Sequence, residues 1–266
     1  MAILATGQVS IHFRDSGRGI PVLLLHAFPL AGEMFEPQLT GLSGVARFIV
    51  PDHRGFGRST PGPGAATMDA LAADALAVLD ALGIASAVVG GVSMGGYAAL
   101  ALLRADPGRV RGLVLADTQV GADDDAARAT RRELAGAVLG GGMEVLVERL
   151  VPRLLGPAAS DALRDRVAAM VRANPPAGAA AALRGMALRQ DGRDILARFA
   201  GPLLVIVGAE DAITPREKAR AMAELVPGSE LVEIPDSGHL ANLEQPAAFN
   251  AALGRFLGRW PGNPEG

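Results

Sequence analysis

Short, almost wholly apolar runs punctuate the chain at residues 21–25, 47–50, 87–89, 110–116 and 203–207, and residues 230–234 read as the last strand. Runs of this length without polar alternation read as strands buried on both faces of a sheet. Between most of them, apolar residues recur at helical spacing. Leu71, Ala75, Val78, Leu79 and Leu82 lie on one face of a helix that Thr67 can cap and Gly83 can stop. Further helices are expected at 32–42, after residue 96 as far as Asp106-Pro107-Gly108, from Pro215 to residue 226, and at 245–257. Residues 2–14 differ. Two short apolar pieces flank Thr6-Gly7-Gln8, the second alternating as Val9, Ile11 and Phe13, which is the pattern of an edge hairpin. His12 falls on the polar side of that alternation and receives no role.

Strands alternating with helices at this spacing predict an α/β protein, a mostly parallel sheet with helices on both faces. The rhythm changes after residue 117. Up to residue 200 there is no strand-like run, only Ala/Leu/Arg segments broken at Gly140-Gly141-Gly142, Gly156-Pro157, Asn174-Pro175-Pro176 and Gly192. We read residues 118–200 as a cap of about four helices inserted over the sheet's C-terminal edge. Residues 1–117 and 201–266 then form the core. Leu139, Met143, Leu146, Met170, Leu183 and Met186 can either line a pocket or form the cap's own core. The Pro/Gly-rich tail from residue 261 is expected to fray.

Composition narrows the class. With 266 residues, half hydrophobic and a fifth charged, the chain suits one large globular domain or one domain carrying an insertion. A net charge of −3 without basic clusters argues against a nucleic-acid partner. Zero cysteines exclude a catalytic thiol, a thiolate metal site and a disulfide framework. No apolar run reaches the length of a membrane span, and the first residues lack the basic region of a secretory signal. The expectation is a cytoplasmic protein without membrane or metal; its oligomeric state stays open.

The chemistry concentrates at Gly91-Val92-Ser93-Met94-Gly95, a G-x-S-x-G turn between a β-branched strand and an Ala/Leu helix. With 34 glycines in the chain, chance supplies roughly 0.15 such matches, so the weight comes from context. A serine held at positive φ needs neighbours without Cβ where strand and helix nearly touch. The helix that follows aims its free N–H groups and positive end at the place where an oxyanion would form. Pro51-Asp52-His53-Arg54-Gly55-Phe56-Gly57-Arg58-Ser59 is a turn dense in charge, read as an Asp52–Arg54 ion pair stiffening a loop.

Asp211 and His239 each follow a later strand, so the order Ser93, Asp211, His239 is that of the triad in α/β-hydrolases. The chain resembles that superfamily over nearly its whole length, and within it the branch of 3-oxoadipate enol-lactonases, small carboxylesterases and cofactor-free haloperoxidases (perhydrolases). The matching residues are His26-Ala27-Phe28-Pro29, Asp52-x-Arg54-Gly55-x-Gly57-x-Ser59, Gly91-x-Ser93-x-Gly95-Gly96, Gly208-x-x-Asp211-x-x-Thr214-Pro215 and Ser237-Gly238-His239. The resemblance implies an eight-stranded α/β-hydrolase sheet and a serine carboxylesterase that needs no cofactor. Ser93 is then nucleophile, His239 base and Asp211 its orienter, with the N–H groups of Phe28 and Met94 as oxyanion hole. Ala27 stands where the family usually has Gly. Asp117, also at a strand end, competes as the acid; Asp211 is preferred because its loop matches the family pattern. His26 and His53 are read as structural hydrogen-bonders.

For a small-molecule ester or lactone, contacts are expected from Phe28, Pro29, Met94, Val120, Met143, Ile213 and Leu240. Small or medium uncharged acyl groups are favoured, with peracid formation as a side activity from the Phe28-Pro29 loop. Two other readings stand beside this one. The first is an enol-lactonase or C–C bond hydrolase with the same triad. The second, of a different class, is a hydrolase-fold ligand receptor that turns over slowly.

Overall fold

Five strands are buried almost throughout, which is why their sequences are apolar without alternation. The computed structural model describes residues 2–7 and 9–260. Its strands are β1 (Ala2–Thr6), β2 (Val9–Gly17), β3 (Ile20–Leu25), β4 (Ala46–Pro51), β5 (Ala87–Val92), β6 (Val110–Ala116), β7 (Leu203–Gly208) and β8 (Glu230–Ile234). They lie side by side in the order β1-β2-β4-β3-β5-β6-β7-β8. The β1–β2 and β2–β4 pairs are antiparallel and every other pair is parallel.

The helices between strands follow from that order. After β3 the chain steps back to β4 through α1 (Glu36–Gly41). It then crosses to the other side of β3 through α2 (Met68–Ala81) and enters β5. Right-handed crossovers in opposite directions put α1 and α2 on opposite faces. Accordingly α2 packs on α3 (Met94–Ala105), while α1 packs on the terminal helix α11 (Pro246–Leu257). The strand order reverses between β3 and β5, and open α/β sheets bind ligands at the C-terminal ends of the strands flanking such a reversal. Leu25 of β3 is in register with Gly91 of β5 there. The segments that continue from those two residues contain Phe28 and Ser93.

Between β6 and β7 stand five helices where about four were expected: α4 (Asp125–Gly141), α5 (Glu144–Leu154), α6 (Asp161–Arg172), α7 (Pro176–Ala187) and α8 (Arg193–Ala197). The short fifth follows Gly192, the last of the four breaks. Asp124 and Ser160 cap α4 and α6 through their side-chain oxygens, as Thr67 caps α2. Asn174, in the Asn-Pro-Pro break, ties this segment to the core. Its amide donates to the Pro29 carbonyl at 2.9 Å and its Oδ1 accepts the Gly57 N–H at 2.8 Å. No helix among the described residues is long and apolar enough to cross a membrane.

Several local expectations change. Residues 32–35 form a 3-10 turn before α1. Pro215 is the extended residue just before α9 (Arg216–Glu224) rather than inside it, and Pro246 divides the C-terminal helix from α10 (Ala241–Glu244). His12 is buried, with Nδ1 at 2.9 Å from Asp52 Oδ2. Asp52 makes no pair with Arg54. It turns inward to accept the Gly32 and Arg58 N–H groups, while Arg54 reaches outward to Asp74 of α2 in a two-point pair. Partners 20 and 40 residues away in sequence outcompete the neighbour two positions on. The tail from residue 261 lies outside the described residues.

Candidate active site

Ser93 sits between β5 and α3 at φ 53° and ψ −114°, a conformation that costs an L-residue on the order of 1–3 kcal/mol. The surroundings hold it there. Its N–H donates to the Ala116 carbonyl of β6 at 2.9 Å, and the Thr118 hydroxyl donates to its carbonyl at 2.8 Å. Glycine on either side is a matter of space. A Cβ on Gly91 would lie 2.1 Å from the Gly95 carbonyl oxygen, and one on Gly95 would lie 1.9 Å from that of Leu25. Gly95→Ala is therefore expected to lower stability by about 3 kcal/mol or more, measured by chemical denaturation. Wild-type stability in that variant would contradict this packing.

The Ser93 Oγ is 2.7 Å from His239 Nε2, and His239 Nδ1 is 2.8 Å from Asp211 Oδ2. All three residues are buried, and each leaves the C-terminal end of a different strand, β5, β7 or β8. The network assigns the tautomer: Nδ1 donates to the carboxylate, and Nε2 is left to accept the serine O–H. Asp211 is itself fixed. Its Oδ1 accepts the Ile213 and Thr214 N–H groups at 2.8 and 2.9 Å, and its Oδ2 accepts the Thr214 hydroxyl at 2.7 Å.

The electrostatics follow from these contacts. Burial pushes the Asp211 carboxyl up, but the hydrogen bonds from His239 and Thr214 and the charge on His239 outweigh it and hold the group below its ordinary value. Burial also pulls the His239 imidazole down. The Asp211 hydrogen bond and charge, with Asp117 and Glu244 nearby, more than offset that and keep His239 above its ordinary value. Asp117 does not touch the imidazole. At φ 44° its carboxylate accepts the Gly208 N–H at 2.8 Å and the Ala241 N–H at 3.2 Å, tying together the loops that carry Asp211 and His239. Burial, and then the charge of Asp211, push Asp117 up to about 7. Glu244 does similar work. It accepts the Gly238 N–H at 2.8 Å and the Gly156 N–H at 2.7 Å, joining the histidine loop to the turn after α5.

His26 and His53 lie beneath the loop after β3. His26 donates through Nδ1 to the Ala27 carbonyl at 3.0 Å and accepts the His53 N–H at Nε2 at 2.9 Å. Burial lowers its pKa to about 4, so it stays neutral, and burial pulls His53 down as well. The Phe28–Pro29 peptide is cis. Among the described residues, neither the Phe28 N–H nor the Met94 N–H meets a protein acceptor, the condition an oxyanion hole requires.

A cavity of about 330 Å³ opens onto Ser93 and His239. Of the side chains expected around a substrate, Phe28 and Ile213 form its wall; Pro29, Met94, Val120, Met143 and Leu240 do not. Val120 instead borders a smaller hollow behind Tyr97, and Met94 and Leu240 are fully buried. Leu183 and Met186 line the cavity, Leu146 is buried elsewhere, and Leu139 faces solvent. Sequence reasoning missed Tyr97, Gln119, Asp123, Arg131 and Arg153 on the same wall. Tyr97 alone carried a signal, one helical turn beyond Ser93.

The model of the α/β-hydrolase fold matches residues 20–246. An esterase from Thermogutta terrifontis, solved with malate bound, is 40% identical, covers 97% of this chain and 96% of its own, and superposes with a TM-score of 0.93. The 3-oxoadipate enol-lactonase 1 of Acinetobacter baylyi is 30% identical over 84% of this chain and 83% of its own length. A bromoperoxidase from Bacillus anthracis is 26% identical, with a TM-score of 0.84 over 94% of this chain and 96% of its own. By sheet order, by the family model and by these relatives, the chain belongs to the α/β-hydrolase superfamily.

Proposed function

We propose that the protein hydrolyses carboxylic esters or lactones through an acyl-enzyme on Ser93. The observation that carries this reading is the buried series Ser93 Oγ to His239 Nε2 to Asp211 Oδ2, at 2.7 and 2.8 Å, facing the cavity. As Oγ attacks the acyl carbon, its proton passes to His239 Nε2, and Asp211 stabilises the imidazolium. The oxyanion accepts hydrogen bonds from the Phe28 and Met94 N–H groups, worth roughly 3–4 kcal/mol per donor. Collapse expels the alcohol with the proton from His239. A water molecule then gives its proton to the same nitrogen, attacks the acyl carbon and releases the acid. The helices between β6 and β7 act as the cap over this step.

Turnover of p-nitrophenyl acetate and butyrate tests the reading. A burst equal to the enzyme concentration followed by steady release supports it. A burst alone would favour a ligand receptor on the same fold. Enol-lactone turnover a hundredfold above that of simple esters would favour a dedicated lactonase. Peracid formation from acetate and hydrogen peroxide belongs to the same proposal as a side activity. In this reading the Phe28 carbonyl, which no protein donor engages among the described residues, accepts a hydrogen bond from peroxide attacking the acyl-enzyme. Pro29→Ala should change the ratio of perhydrolysis to hydrolysis, and an unchanged ratio would remove the loop from that role.

The rate should also follow the protonation of His239. Only neutral imidazole accepts the serine proton, so activity rises as pH passes upward through the His239 pKa. Because Asp211 holds that pKa above 6.5, the acidic limb of kcat/KM is expected to have its midpoint above that value. Asp211→Asn should move the midpoint down. A rate independent of pH between about 5 and 8 would contradict His239 as the base.

A further inference from the structure

The cavity wall carries more positive charge than ester hydrolysis as such requires. Arg131 of α4 and Arg153 in the last turn of α5 both line it, against a single carboxylate, Asp123. That carboxylate is engaged twice. Its Oδ2 takes the Arg131 Nε at 2.5 Å, and its Oδ1 takes the Arg189 Nη1 at 2.6 Å. The two guanidinium groups outweigh burial and hold Asp123 below its ordinary value, so it stays ionised.

Arg189 is fully used as a support. Its side chain is 3% exposed, its guanidinium lies 4.3 Å from the centre of the Tyr97 ring, and it donates to the Gly121 carbonyl. Arg131 is not saturated. Its Nη1 meets only the Met186 Sδ at 3.3 Å, a weak acceptor. Arg153 has neither an ion-pair nor a hydrogen-bond partner among the described residues. Two guanidinium groups therefore stand against one carboxylate on the wall of the cavity that also holds Ser93 and His239, and that carboxylate is already shared with Arg189. Gln119 and Thr130 add neutral hydrogen-bonding groups to the same wall.

We infer that Arg153, with Arg131 beside it, is an anion subsite, and that the substrate is an ester or lactone carrying a carboxylate at the far end of a short acyl chain. This rests on the ester-hydrolase reading of the same cavity and replaces the sequence-based expectation of an uncharged acyl group. Guanidinium groups match carboxylates in two-point geometry, and a charge-assisted pair strengthens where walls exclude water. The length is bounded by space. About 330 Å³ is at the lower end of small-molecule sites, which suits a chain of a few carbons. Arg153 acts as a specificity determinant, binding the end of the substrate remote from the reacting carbon.

The test compares p-nitrophenyl hydrogen glutarate with its uncharged counterpart, p-nitrophenyl pentanoate, with the uncatalysed rates subtracted. The wild type should favour the anionic ester in kcat/KM. Arg153→Gln should lower the anionic-to-neutral ratio about tenfold, mostly through KM, and Arg153→Lys should recover part of it. Added salt should compress the wild-type preference. A wild type that prefers the neutral ester, or a ratio unchanged in Arg153→Gln, overturns the subsite. Calorimetric titration of glutarate into the wild type and Arg153→Gln reads binding without catalysis. Affinity should fall about tenfold in the variant, and undetectable or equal binding would count against the proposal. If neither ester is hydrolysed while glutarate still binds through Arg153, the hydrolase reading fails and the subsite stands.

Discussion

Ser93→Ala is expected to lose on the order of 10⁵- to 10⁶-fold in kcat for p-nitrophenyl butyrate while remaining folded. The effect is large because nothing else on the cavity wall can take the same place. The proposed nucleophile needs an oxygen within reach of His239 Nε2, and Ser93 Oγ is at 2.7 Å. Thr214, the other hydroxyl close to the imidazole, lies on the Nδ1 side and is committed to Asp211. The fold should survive because, among the described residues, Ser93 Oγ makes no hydrogen bond apart from the one to His239. Its N–H and carbonyl, which hold the turn, remain in alanine. Stability is expected to stay within about 1 kcal/mol of wild type. Activity above a few per cent of wild type, with the fold intact by circular dichroism, would sink Ser93 as nucleophile.

The second large effect separates two buried aspartates. Asp211→Asn should lower kcat about 10⁴-fold, because an amide donor opposite Nδ1 favours the tautomer that cannot accept the serine proton at Nε2. Asp117→Asn should act differently. Among the described residues its carboxylate accepts hydrogen bonds from the Gly208 and Ala241 N–H groups alone, and one amide oxygen can keep one of those contacts. The expected cost is about 1–3 kcal/mol of stability, with a far smaller loss of turnover. Denaturation and steady-state kinetics on the two variants read these separately. A larger kinetic loss in Asp117→Asn would make Asp117 the orienting acid.

The sheet was legible in the sequence because its central strands are buried on both faces and therefore nearly all apolar, as at 87–92 and 203–208. The elbow was legible because Gly91 and Gly95 have no room for a Cβ, so steric necessity is written into the residues themselves. Contacts between distant segments left no such mark. Nothing local distinguishes His12 as the partner of Asp52, or sends Arg54 to Asp74. Periodicity also failed for the cavity. Met143, Val120 and Leu240 have the right character for a pocket but are buried away from this one, whereas Arg131 and Arg153 look like two more arginines among the surface charges of an Ala/Leu/Arg segment. Only the packing of α4 and α5 around the cavity separates them from the rest.

A covalent intermediate at one residue is the centre of the proposed mechanism. Pre-steady-state reaction of the wild type with p-nitrophenyl butyrate, quenched in acid and followed by intact-mass and peptide mapping, looks for that intermediate directly. The expected result is a burst of one p-nitrophenolate per active site, a butyryl group on the peptide containing Ser93, and steady turnover afterwards, with the adduct absent in His239→Ala. Steady ester turnover with no acyl group on Ser93, or an acyl group carried by another residue, would contradict it.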